Sequence, residues 1–145
     1  MAGQFAAGND ESRGRLEALA ARLTADGLDR DLGEGWTVKG ALAHLAWWDR
    51  YAVFMLDQWA REGFSYDTAF FSDLPNLASL PEQVALPSAY VLAEVVRAAR
   101  AADRRVAEVS DAVIEAATAG GMPRAFDRSV HRDEHVEQIE RALEG

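Results

Sequence analysis

VKGALAHLAWWDRYAVFMLDQWAR, residues 38–61, is the stretch whose reading decides the fold. Val38, Ala41, Leu42, Leu45, Trp48, Ala52, Met55, Leu56 and Trp59 recur there at three- and four-residue spacing. On a helix of 3.6 residues per turn they make one apolar stripe, with Lys39, Arg50 and Asp57 on the opposite side. Thr37 precedes the stripe as its N-cap. Neither this stretch nor any other sustains the alternation that a half-buried strand requires.

Working outward, three more segments carry the same periodicity. Residues 10–25 place Leu16, Leu19, Ala20 and Leu23 on one stripe, with Asn9 or Asp10 as the cap and Gly27 past the end. Residues 88–110 begin at Pro87 or Ser88, bury Leu92, Val95, Val96 and Ala99, and leave Arg97, Arg100 and Arg104 wet. Residues 128–143 turn Val136, Ile139 and Leu143 inward, with Asp127 or Ser129 as the cap. Four amphipathic helices predict an all-α fold, a four-helix bundle, with residues 1–145 forming a single domain. The connection between the second and third helices, 62–87, is long and aromatic, with room for a short helix of its own. Residues 111–117 read as a helical extension, and Gly120-Gly121-Met122-Pro123 breaks it.

Composition bounds the function. A chain of 145 residues that is 49% hydrophobic and 27% charged can bury one sizeable core. Its net charge of −9 argues against a nucleic-acid partner, which is held by Lys and Arg on phosphates, and against an anionic membrane surface. Charges interrupt every apolar run before the ~18 residues of a membrane span, and MAGQFAAGNDESRGR does not read as a secretory signal. The expected compartment is the cytoplasm. With no cysteine there is no disulfide and no thiolate ligand, so a bound metal would rest on nitrogen and oxygen.

The chain has three histidines. His131 and His135 stand at i and i+4, one above the other on a helix, where two imidazoles can chelate one ion. Arg132 occupies the position that the catalytic Glu holds in an HExxH motif, so this is not that motif. His44 lies on the flank of the 38–61 stripe, and the helix-four pair flanks its own apolar face. Two neighbouring helices could therefore aim three imidazoles into one cleft, a ligand set that leaves a position open. The plainer alternatives are a hydrogen-bonded core His44 and a solvated His131–His135 pair.

Two further stretches carry a resemblance. Trp36-Thr37-Val38-Lys39-Gly40-Ala41-Leu42-Ala43-His44-Leu45-Ala46-Trp47-Trp48-Asp49 is similar to the helix-two signature of the DinB/YfiT-like superfamily of metal-dependent enzymes. Arg128-Ser129-Val130-His131-Arg132-Asp133-Glu134-His135-Val136-Glu137-Gln138-Ile139 resembles its helix-four signature. The resemblance implies a four-helix bundle, commonly a homodimer, and a divalent metal on His44, His131 and His135. It also implies thiol-dependent S-transferase or isomerase chemistry, or metal-dependent hydrolysis, on a small molecule.

The expectation is therefore a metal-dependent transferase or hydrolase with zinc or nickel as the ion. A low-molecular-weight thiol would come from outside the chain, and the substrate would be a small electrophile. The alternative is a metal-binding or small-molecule-binding helical bundle without turnover. No residue stands out as general base. Asn76 in the aromatic connection could bond a substrate or metal-bound water, or be a turn residue after Pro75. Arg128 could hold an anionic thiol or carboxylate near the metal, or be an exposed helix-start arginine. Asp49 could orient a ligand histidine or pair with an arginine of another helix. Glu134 is read as solvated. Trp36, Trp47, Trp48, Phe70 and Phe71 could wall a pocket, or belong to the core or a dimer interface.

Overall fold

The structure is a computed structural model and describes residues 2–145. It is mostly helical. Four long helices, α1 (Gly3–Arg22), α3 (Val38–Glu62), α5 (Ser88–Glu108) and α7 (Ser129–Glu144), are joined by shorter ones, α2 (Ala25–Leu28), α4 (Leu74–Ala85) and α6 (Asp111–Ala119). A two-stranded antiparallel hairpin, β1 (Asp31–Gly33) with β2 (Trp36–Thr37), leads into α3. No helix among the described residues is long and apolar enough to cross a membrane.

α3 is the central element, packed on α5, α4 and α7, while α1 packs on α5 and α7. Side-chain pairs give the helix directions. Arg13 reaches Asp103 and Arg100 reaches Glu17, so α1 and α5 are antiparallel. Arg50 pairs with Glu94 and Asp57 with Arg105, so α3 and α5 are parallel. His44 meets His131 while Asp49 meets Arg128, so α3 and α7 are antiparallel. Because α3 and α5 point the same way, the chain between them must return along the molecule. α4 makes that return, laying Asn76 beside Trp48 and Val84 beside Gly40. A Cβ on Gly40 would lie 2.9 Å from Val84 Cγ1, so a hydrogen at position 40 lets α4 approach this closely.

Local chemistry explains most boundaries. Thr37 caps α3, its hydroxyl accepting from Gly40 N at 3.0 Å. α1 differs from its expected span. It begins at Gly3, so Asn9 lies inside the helix and caps nothing. Apart from Phe5, which packs on Phe126, its first two turns carry small and polar residues that leave no apolar stripe to read. It ends at Arg22, where Thr24 opens α2 by accepting from Gly27 N. α7 begins at Ser129, whose N–H and hydroxyl both donate to Asp127. The hairpin turns through Gly33, Glu34 and Gly35, all at positive φ, and its strands are too short to show alternation.

The core falls into two clusters. One gathers Leu16, Leu19, Leu42, Leu45, Val95 and Ile139 from the four long helices. The other gathers Leu56, Trp59, Val106, Ile114, Met122 and Phe126. Each such side chain, fully buried, contributes about 1.5–3 kcal/mol.

Candidate metal centre

His44 is buried on α3, and His131 and His135 stand half-buried one turn apart on α7. The His44 and His131 Nε2 atoms are 2.8 Å apart. The three rings meet edge to face, with centroids 4.8–4.9 Å apart. One nitrogen from each ring lies within 4.8 Å of the other two, and no carboxylate joins the group among the described residues.

What turns the α7 histidines toward α3 is the residue between them. Arg132 is fully buried. Its guanidinium binds Asp103 of α5 in a fork, at 2.7 and 3.0 Å, and reaches Asp49 of α3 at 3.3 Å. It also donates to the Ala99 carbonyl and, on α1, to the Asn9 carbonyl and Ser12 hydroxyl. Burial opposes its charge, yet Asp49 and Asp103 hold its pKa above the ordinary value. One side chain thus ties α7 to three other helices and sets the rotation of α7 about its axis. Asp49 also accepts from Arg128 Nε at 2.9 Å. It is therefore an ion-pair partner of two arginines rather than an acceptor for a histidine.

The imidazoles are neutral donors at neutral pH. Burial, with His135 adding to it, lowers His44 to about 3. Burial also lowers His131 well below the ordinary range, helped by the other two rings and by Arg128 and Arg124. His135 is lowered by burial, against a partly opposing bond to Gln138. His135 Nδ1 lies 2.9 Å from Gln138 Oε1. With an oxygen as partner, Nδ1 carries the proton and Nε2 keeps the lone pair, the arrangement that fixes a ligating tautomer. His44 Nδ1 is buried without a partner.

The donor set fits a divalent ion. Nitrogens bound to one ion at about 2.0–2.1 Å stand about 3–3.5 Å from one another. The triad's spacings, from 2.8 Å up to a limit of 4.8 Å, bracket that value. Three neutral imidazoles suit zinc, nickel, cobalt, copper or iron.

The triad stands in the wall of a cleft of about 930 Å³. Trp36, Trp48, Phe70 and Phe71 supply its aromatic surface, and Trp36 lies edge-on to His44 with ring centroids 5.3 Å apart. Trp47 does not line it and instead stacks on Tyr51. Asn76 lines the cleft from the first turn of α4, not from a loop, and its Oδ1 accepts from Trp48 Nε1 at 2.7 Å. Arg128 is not an exposed helix-start residue: it is 3% exposed and faces the cleft. Glu134 is exposed at the cleft wall.

Comparison of the chain with protein-family models, with curated proteins and with solved structures gives no match in any of the three. The reading of the site therefore rests on its geometry. Two features of that geometry lie outside the expectations from sequence. Gln138 sits three residues after His135, a spacing that places both on one helix face. Arg132 carried a readable signal too, since at i+1 between two inward-flanking histidines a cation must be either solvated or paired.

Proposed function

We propose that this chain is a divalent-metal-dependent enzyme of the DinB/YfiT-like type, with His44, His131 and His135 as the protein ligands. In this reading α1, α3, α5 and α7 form the family's four-helix bundle, and the protein works as a homodimer in the cytoplasm. The observation that carries it is three neutral imidazoles from two helices converging in the wall of a large cleft. A structural ion is usually enclosed by four protein ligands, whereas three with an adjoining cavity leave a position for a reactant.

Zinc or nickel is the proposed ion. When bound it would supply Lewis acidity and lower the pKa of a thiol or water at that position. The chain's own residues do the rest. Gln138 holds the His135 tautomer. Arg132 fixes the face that α7 presents. Trp36, Trp48, Phe70 and Phe71 give the cleft an apolar wall for the substrate's body. With no cysteine in the chain, the thiol is a low-molecular-weight cosubstrate. A cleft of about 930 Å³ has room for it beside a small electrophile. We propose thiol transfer to that electrophile as the reaction, with hydrolysis as its water-using variant.

Elemental analysis of untagged protein, followed by thiol titration against a generic electrophile such as 1-chloro-2,4-dinitrobenzene, tests this. The expected result is one ion per chain and thiol-dependent turnover that chelation abolishes. Metal without thiol- or water-dependent turnover across a broad electrophile and ester panel would reduce the site to a brace.

A further inference from the structure

Arg128 holds a charge that the protein only partly compensates. Its guanidinium is buried, yet it lines the cleft 5.7 Å from the Phe70 ring centroid. Nε donates to Asp49 and Nη1 to the Arg124 carbonyl at 3.2 Å, while Nη2 has no hydrogen-bond partner among the described residues. Asp49 is divided between Arg128 and Arg132, and Asp103 between Arg132 and Arg13. Arg124 stands exposed on the same cleft wall. The cleft's acidic residues, Glu34, Asp73, Asp127 and Glu134, are exposed or half-buried, and none forms an ion pair with Arg128.

We propose that Arg128 anchors a carboxylate on the small molecule that the cleft takes, with the aromatic wall covering that molecule's apolar body. A guanidinium held at Nε and Nη1 keeps a fixed orientation, so its remaining N–H groups are ready for an acceptor without further ordering. Away from bulk water a charge-assisted bond of this kind is stronger than a neutral one. Arg128 and Arg124 line the same cleft as His131 and His135, so an anion bound there would share that cleft with the triad. This proposal rests on the cleft being the binding site, and it does not need the ion to be present.

The carboxylate could belong to the electrophile or to the thiol cosubstrate, and two matched probe pairs distinguish them. Phenylacetate is compared with phenylacetamide, and 3-mercaptopropionate with 3-mercaptopropionamide. Binding is followed by tryptophan fluorescence, first in metal-free protein and then in zinc-loaded protein. At least one acid should bind the metal-free protein about tenfold more tightly than its amide. The pair with the larger preference names the source. Arg128→Gln should abolish the preference and Arg128→Lys should keep part of it, with circular dichroism checking the fold of each.

Equal affinity for acid and amide in both pairs, or no binding by either acid, overturns the proposal. So does a preference that appears only with zinc, since the carboxylate would then be reading the ion. A preference unchanged in folded Arg128→Gln overturns it as well. The wild-type comparison needs no variant, so it stands if the substitutions fail to fold. An acid preference in a protein that takes up no zinc would keep the anchor and refute the metal reading.

Discussion

Arg132 shows how much one side chain can decide. Truncating it to Met removes the forked partner of Asp103 and one of the two buried arginines on Asp49, and leaving a buried charge uncompensated costs about 3–5 kcal/mol. Urea denaturation of Arg132→Met should show a loss near the lower end of that range, because Arg128 and Arg13 still reach the two carboxylates. A loss under about 1 kcal/mol would mean that the network does not fix α7. Gln138 acts on the site alone. Gln138→Leu should weaken zinc binding about 10- to 100-fold while barely moving the urea midpoint, because it frees the His135 tautomer and leaves the core intact. The residue types at the site were legible in the sequence: three histidines, all on helix flanks. Their partners were less so. Asp49 and Arg128 admitted two readings each, and only packing chooses between a solvated charge and a buried pair.

At the scale of elements, the close approach of α4 to α3 depends on Gly40. Gly40→Val adds a branched side chain where a Cβ alone would stand 2.9 Å from the stiff Val84 side chain. It should cost about 1–3 kcal/mol in overpacking and expose the 72–87 segment to limited proteolysis. Unchanged protease resistance would show that α4 is held elsewhere. The long helices could be read because each carries an apolar stripe over at least two turns. Thr37 and Val38 gave the start of α3 without error, since cap and stripe begin together. α4 was harder. Among its residues only Gln83 is buried, and Leu74 and Leu77 are exposed, so its pattern points outward as much as inward. The first turns of α1, where Phe5 is the one large apolar residue, escaped for a related reason, as did the hairpin, whose strands are too short to repeat an alternation.

For the whole molecule, the buried imidazoles couple stability to pH. Each titrates lower in the folded metal-free protein than in the unfolded chain, so between the two values the unfolded chain holds more protons. Their contribution is complete above about 6.5 and falls away as pH drops toward about 3. Urea midpoints of metal-free protein should therefore decline over that window. The decline should be shallower in a triple His→Gln variant, and parallel curves would show that the triad is not the source. A ligand that binds only the folded state also raises its stability, by about 2.7 kcal/mol at one hundred times its dissociation constant. Zinc should accordingly raise the thermal midpoint, and chelator should reverse the rise.

X-ray absorption at the metal edge of untagged, zinc- or nickel-loaded protein examines the triad most directly. Three imidazole nitrogens at about 2.0–2.1 Å should appear, with one ion per chain, and both should vanish in His44→Ala. An ion bound without imidazole, or a stoichiometry untouched by replacing His44, His131 and His135 in turn, would mean that these histidines merely pack.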